Sequence, residues 1–294
     1  MADFMQQVVA GLASGSIYAA LALALVLIHR ATGVINFAQG EMATLSTYIA
    51  WTLTTNHGWG YWPAFAFTLI ASFLGGAAIH QTIIRPNEKG SVLRVVIVTI
   101  GLLLAINGLV ILIWSGEVRA VQSPFPAGTT EIGGVVIAYS DIGTIAVVLG
   151  TVLALWLLFQ YTKIGLAMRA AAVNPAEARL VGVRVTWMLS LGWGLAAVLG
   201  AVAGMLAAPT IFLDPNLMAA LLIYAFAAAV LGGIDSPIGA IVGGLTLGVG
   251  LNLIGTYVDF LGADLRLPTA LAVILVVLLV KPSGIFGRKE VKRV

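Results

Sequence analysis

The sequence predicts an all-α polytopic membrane protein, and three observations predict it. Of its 294 residues 60% are hydrophobic and only 9% are charged, whereas soluble domains carry roughly 25% charge. The apolar residues gather into about nine runs, each near the roughly 20 residues that an α-helix needs to cross a bilayer. The Lys and Arg residues fall almost wholly into alternate connections between those runs, as cytoplasmic loops require. A core this apolar, with a mean hydropathy of +1.05, needs lipid as its solvent. In that setting the pI near 9.3 reports loop charge and gives no nucleic-acid signal.

The runs lie near 8–28, 35–55, 62–84, 93–114, 142–162, 186–208, 217–233, 237–257 and 267–281. The second, seventh and last are short or interrupted by Gly and polar residues, so the expected count is about nine within a range of 8–10, with some helices broken. Residues before the first run read MADFMQQ, without Lys or Arg. A basic leader is missing, which argues against a cleaved signal and for an external N-terminus. Alternating the connections from there puts Arg30, Arg85, Lys89, Arg94, Lys163, Arg169, Arg179, Arg184, Lys281, Arg288, Lys289, Lys292 and Arg293 inside. Of the 15 Lys and Arg residues only Arg119 and Arg266 fall outside. Asp3, Glu117, Glu131, Asp141, Asp214, Asp259 and Asp264 also fall outside. The expected topology is N-out and C-in, with the whole of residues 1–294 as one membrane domain.

The longest polar connection, Ser115–Asp141, carries Pro124, Pro126, Gly128 and the pair Gly133-Gly134. It reads equally as a solvated hairpin loop or as a surface met by an external partner. Small-residue spacings at Gly11/Gly15, Gly200/Gly204, Gly239/Gly243 and Gly244/Gly248 allow helices to approach closely. Packing within the chain is their first use and dimer contact the other.

Two places break the apolar pattern at membrane depth. The first is Gly33-Val34-Ile35-Asn36-Phe37-Ala38-Gln39-Gly40-Glu41 and the second is Gly232-Gly233-Ile234-Asp235-Ser236-Pro237-Ile238-Gly239. Non-helical backbone at that depth survives only where protein or a water-filled cavity satisfies it. Interrupted helices early and late in a chain point to a transport path and to a divergent internal repeat. Candidate break glycines are Gly33, Gly40, Gly232, Gly233 and Gly239; candidate path residues are Asn36, Gln39, Glu41, Asn107 and Asn252. Glu41 is the one acid that the runs bury. It is a functional candidate by position, and equally a first-turn acid or a carboxyl neutralised by a neighbour. Asn107, Asn252, Ser14 and Tyr18 also fit plain interhelical hydrogen bonding, and Asp235 fits turn chemistry.

Between the breaks lies KIGLAMRAAAVNPAEARLVGVRV, residues 163–185, with four cations and one acid. Asn174, Pro175, Ala176 and Glu177 form a helix start: a capping side chain, a residue with fixed helical φ, and an acid at the capping-box position. Ala178, Arg179, Leu180 and Val181 follow, and Gly182 can close the helix. A helix so short is not stable alone, so its membrane body on one side or a partner on the other must hold it. Ala178, Leu180 and Val181 would supply an apolar knob, with Glu177 and Arg179 as its polar rim.

Other chemistries find no footing. No Gly-Lys pair exists to make a Walker A loop. Without cysteine there are no disulfides or thiolate metal sites. His29, His57 and His80 have no metal-ligand spacing and read as interfacial residues.

GLASGSIYAALALALVLIHRATGVINFAQGEMATLSTYIAW resembles the N-terminal part of the LivH-type permeases of branched-chain amino acid ABC importers. That family carries Gly-Val-Ile-Asn-Phe-Ala-(His/Gln)-Gly-Glu after its first span, here Gly33 to Glu41. Residues 165–185 resemble its cytoplasmic coupling segment, with Asn174, Ala178 and Gly182 in the Asn-x-x-x-Ala and Gly places. AFAAAVLGGIDSPIGAIVGG, residues 225–244, resembles its late Gly-rich motif, with Asp235 standing where Gly is common. The three motifs occur in order along the whole chain.

The resemblance implies a permease subunit of the bacterial inner membrane that moves branched-chain or related hydrophobic amino acids. It implies a LivM-like second permease, two cytoplasmic ATPases that hold the ATP and Mg, and a periplasmic binding protein. This chain would bind no cofactor or metal, contact membrane lipid but no nucleic acid, and catalyse no reaction itself. Urea, amide and other amino-acid permeases share these motifs. The competing class is a self-sufficient secondary transporter that uses Glu41.

Overall fold

A computed structural model describes residues 1–88, 90–258 and 265–287. Lys89, Asp259, Asp264, Arg288, Lys289, Lys292 and Arg293, used above for orientation, lie outside the described residues. All nine apolar runs fold as helices. In chain order they are α1 (Ala2–Thr32), α2 (Gln39–Thr55), α3 (Tyr61–Ile79), α4 (Val92–Trp114) and α5 (Tyr139–Tyr161). The basic stretch supplies two more, α6 (Lys163–Val173) and α7 (Pro175–Leu180). Then come α8 (Val185–Ile211), α9 (Met218–Gly232), α10 (Pro237–Tyr257) and α11 (Arg266–Val280).

Six of these are long and apolar enough to cross a membrane: α1, α3 with its extension to Asn87, α4, α5, α8 and α10. The chain is therefore a mostly helical, multi-pass membrane protein. Helices α2, α9 and α11 have 17, 15 and 15 residues. At 1.5 Å per residue they reach about 22–26 Å, short of a core about 30 Å thick. They are the same three runs whose sequences are short or interrupted.

The all-α expectation needs one correction. Within 115–141 the strands β1 (Thr129–Ile132) and β2 (Val135–Ala138) pair antiparallel. Gly133 and Gly134 make the turn, with φ of +61° and +82°. Two successive left-handed residues match a two-residue hairpin turn, and glycine adopts them without strain.

Contacts gather the chain into two compact units. One comprises residues 1–26, 125–147 and 220–294, the other residues 27–124 and 148–219. In the first unit α1 and α10 meet through glycine. A Cβ on Gly11 would lie 2.7 Å from the Val249 Cα, and one on Gly15 would lie 2.9 Å from the Gly244 carbonyl oxygen. Gly232 at the end of α9 faces Gly239 in the first turn of α10 just as closely. The small-residue spacings thus serve packing within the chain.

The second unit is built on α8. Its buried residues include a run of small ones, Ala196, Ala197, Gly200, Ala201 and Gly204, and α2 and α3 lie against it. Gly76 of α3 abuts Ala197 and the Trp193 carbonyl, while Gly194 abuts Phe73. Gly200 and Gly204 face Gln39, Ala43 and Thr47 of α2. Tyr61 at the start of α3 donates to the Met205 carbonyl at 3.1 Å.

Candidate functional site

The capped segment folds as its residues dictate. Asn174 accepts from the amides of Ala176 and Glu177 at 3.1 and 3.2 Å through its side-chain oxygen. Pro175 occupies the first helical position. Gly182 stops the helix with φ +84°; its amide donates to the Arg179 carbonyl, and the Val183 amide donates to the Ala178 carbonyl. That pair of bonds is the glycine stop in which the two residues past the helix satisfy its last carbonyls.

The preceding helix α6 was not marked by the capping reasoning at Asn174. It has a cap of its own, since the Thr162 hydroxyl accepts from the Gly165 amide at 3.0 Å. Ala171 of α6, Ala178 of α7 and Val185 of α8 pack into one buried cluster, with Val183 against it. This cluster holds α7 against α6 and the start of α8.

It also corrects the knob. Ala178 is 4% exposed and faces the protein's own body, while Leu180 and Val181 are 87% and 78% exposed. Glu177 and Arg179 are exposed as well. The large exposed apolar side chains at α7 are therefore Leu180, in its last turn, and Val181, just past it. Beside α7 opens a cleft of about 850 Å³ whose lining includes Thr32, Arg85, Glu88, Pro175, Arg179 and Leu189.

The early break lies in the same unit. Gly33 turns the chain out of α1 with φ +72°. Asn36 accepts from the Ala38 amide at 3.0 Å, shaping the turn into α2, and its own amide donates to the Gln39 side-chain oxygen at 3.4 Å. Gln39, fully buried, donates to the Ala196 carbonyl at 2.9 Å. Ala196 is about 16 Å along α8 from Val185, so α2 begins deep beside an apolar helix. Gly40 is not a break but lies within the first turn of α2. Gly239 likewise lies inside α10, and the late break falls at Gly232-Gly233, where Gly233 has φ +108°.

Glu41 in the first turn of α2 is 8% exposed. Asn107 of α4 donates to its carboxylate at 3.3 Å and also reaches the Pro215 carbonyl at 3.1 Å. Asn36 with Gln39, and Glu41 with Asn107, thus form two polar pairs in the second unit, with Gln39 turned to α8 and Glu41 to α4. Asn252 joins neither pair. It lies in the first unit, where its amide donates to the Gln7 carbonyl and side-chain oxygens at 2.7 and 2.8 Å. Asp235 sits in the turn before α10, where Ser236 caps the helix by accepting from the Gly239 amide at 3.0 Å.

His80 is fully buried inside the protein. Its Nδ1 lies 2.8 Å from the Ser190 hydroxyl and its Nε2 lies 2.8 Å from a Glu88 carboxylate oxygen. No local signal marks it, because Ser190 is 110 residues away.

Residues 7–281 match the family described as branched-chain amino acid transport system / permease component. The chain belongs to that family. It is similar to the high-affinity branched-chain amino acid transport system permease protein BraD of Pseudomonas aeruginosa, with 33% identity over 99% of this chain and 98% of that one. It is 30% identical to LivH of Escherichia coli K12, a protein of the same description, again over 99% and 98% of the two chains. Among solved structures, PsaBC from Streptococcus pneumoniae in complex with Fab shares the fold, with a TM-score of 0.52 and 18% identity over 93% of this chain and 91% of that one. The relatives are named as transport permease proteins.

Proposed function

We propose that this permease is the membrane-spanning subunit of an ATP-driven importer in the bacterial inner membrane, and that residues 1–294 act as one permease domain. It forms, with a second permease of LivM type, the path for branched-chain or related hydrophobic amino acids released by a periplasmic binding protein. All nine helices of the apolar runs lie in the membrane, with the N-terminus outside and the C-terminus in the cytoplasm. The segregation of Lys and Arg supports that orientation.

The observation that carries the proposal is α7. It is a six-residue helix, capped at both ends, whose inner face is locked to α6 and α8 and whose exposed face offers Leu180 and Val181. An ATPase groove that covers those two side chains would move α7, and α8 with it, as a rigid piece. ATP and its Mg stay on the ATPase subunits. Asn36, Gln39, Glu41 and Asn107 stand along the path; Gly33, Gly232 and Gly233 let the flanking helices stop at membrane depth.

Reconstitution in proteoliposomes tests this. Permease pair, ATPases and binding protein together should accumulate labelled leucine when ATP is supplied on the ATPase side. This chain alone under an ion gradient should not. Uptake by the chain alone would instead mark a secondary transporter, with Glu41 as the coupling carboxylate. ATP-driven uptake of urea or an amide in place of leucine would keep the class and change the substrate.

A further inference from the structure

His80 stands where α3 leaves ordinary α-helical bonding. Residues His80–Ile84 form a π-helical turn, in which the Arg85 amide reaches back five residues to the His80 carbonyl. Such turns insert one residue into a helix and are frequent at functional sites.

Three ties run along the pair of helices α3 and α8. At one end Tyr61 bonds the Met205 carbonyl. Near the other end Gly76 and Gly194 bring the backbones into contact. At the other end His80 reaches Ser190, five residues beyond Val185, where α8 begins. The Ser190 hydroxyl also lies 3.0 Å from the Thr186 carbonyl oxygen. A carboxylate only accepts, so Nε2–H of His80 donates to Glu88, and this bond orients the ring. Glu88 itself lies in the short connection to α4. The ring of Trp193, 6.0 Å away, closes the remaining side.

We propose that His80 is a positioning residue for transport: it ties α3, and through Glu88 the connection to α4, to the first turns of α8, so that displacement of α7 moves them as one body. The inference rests on the functional reading above. In that reading the push enters at α7 and passes through the Ala171–Ala178–Val185 cluster into α8. The glycine contacts oppose closer approach of α3 and α8 but do not stop them from sliding. A directional hydrogen bond near the driven end does.

The test uses the assembled complex in proteoliposomes and reads substrate moved per ATP hydrolysed. Ser190→Ala removes one buried oxygen and little volume. His80→Gln can still reach Glu88 but withdraws the hydrogen-bonding atom from the Nδ1 position; His80→Asn keeps one there. Ser190→Ala and His80→Gln should retain the ATPases and keep the KM for loaded binding protein. Their transport per ATP should fall about tenfold, the upper scale of one buried hydrogen bond. His80→Asn should stay within about twofold of wild type, because the Ser190 bond is what matters. Wild-type stoichiometry in Ser190→Ala and His80→Gln would overturn the inference, and so would equal losses in all three variants. A wild-type complex without ATP-driven uptake would overturn the functional reading first, and that result is visible before any variant is made.

Discussion

Adjacent glycines on α3 should respond to the same substitution with opposite signs. Gly75 is exposed and has nothing within 4 Å of where a Cβ would stand. Alanine there only removes backbone freedom from the unfolded chain, a gain of about 0.5–1 kcal/mol. At Gly76 the added carbon would lie 2.7 Å from both the Ala197 Cβ and the Trp193 carbonyl oxygen. Neither atom is the free end of a flexible side chain. The helices must separate by roughly 0.7 Å to regain ordinary contact, and overpacking of this kind costs about 1–3 kcal/mol. Separation also stretches the Tyr61 and His80 bonds at the two ends of the pair. Gly75→Ala should therefore raise the thermal midpoint of purified permease in detergent and Gly76→Ala should lower it. Equal midpoints, or a stabilised Gly76→Ala, would mean that α3 and α8 do not meet backbone to backbone, and the rigid pair assigned to them would fail.

Leu180→Asp should leave permease levels normal, because the side chain is 87% exposed, but weaken ATPase copurification and abolish substrate-stimulated hydrolysis. It forfeits about 1.5–3 kcal/mol of leucine burial and places an unpaired charge in the contact, which costs about 3–5 kcal/mol. Glu41→Gln keeps the shape and a hydrogen-bonding partner for Asn107, so ATP-driven uptake should survive within about twofold if the carboxylate only packs; severe loss in an intact complex would show that charge at 41 is needed.

The legible parts of this protein are local ones. Asn174, Pro175 and Gly182 act on backbone within a few residues, so both ends of α7 could be read from composition and spacing alone. The nine apolar runs were legible for the same reason, and the three short helices announced themselves by interruption. What α7 buries was not legible. Six residues with Ala176, Ala178 and Leu180 as their apolar set define no stripe, and only the packing of Ala171 and Val185 turns Ala178 inward. Gly40 and Gly239 look like Gly33 and Gly233 in sequence, yet only the latter two adopt left-handed φ. Contacts across long separations were out of reach, as with Glu41 and Asn107, 66 residues apart, and His80 with Ser190.

The most direct measurement of the central claim uses the absence of cysteine from the chain. Leu180→Cys introduces a single thiol on the exposed face of α7, and Ala178→Cys places one on its buried face. In the permease alone a soluble maleimide should modify position 180 quickly and position 178 slowly. When the ATPases are bound, modification at 180 should slow at least about tenfold, as expected for a side chain in a desolvated contact, while position 178 stays as it was. Unchanged reactivity at 180 in a complex that retains its ATPases would contradict docking at α7 and the transmission route built on it.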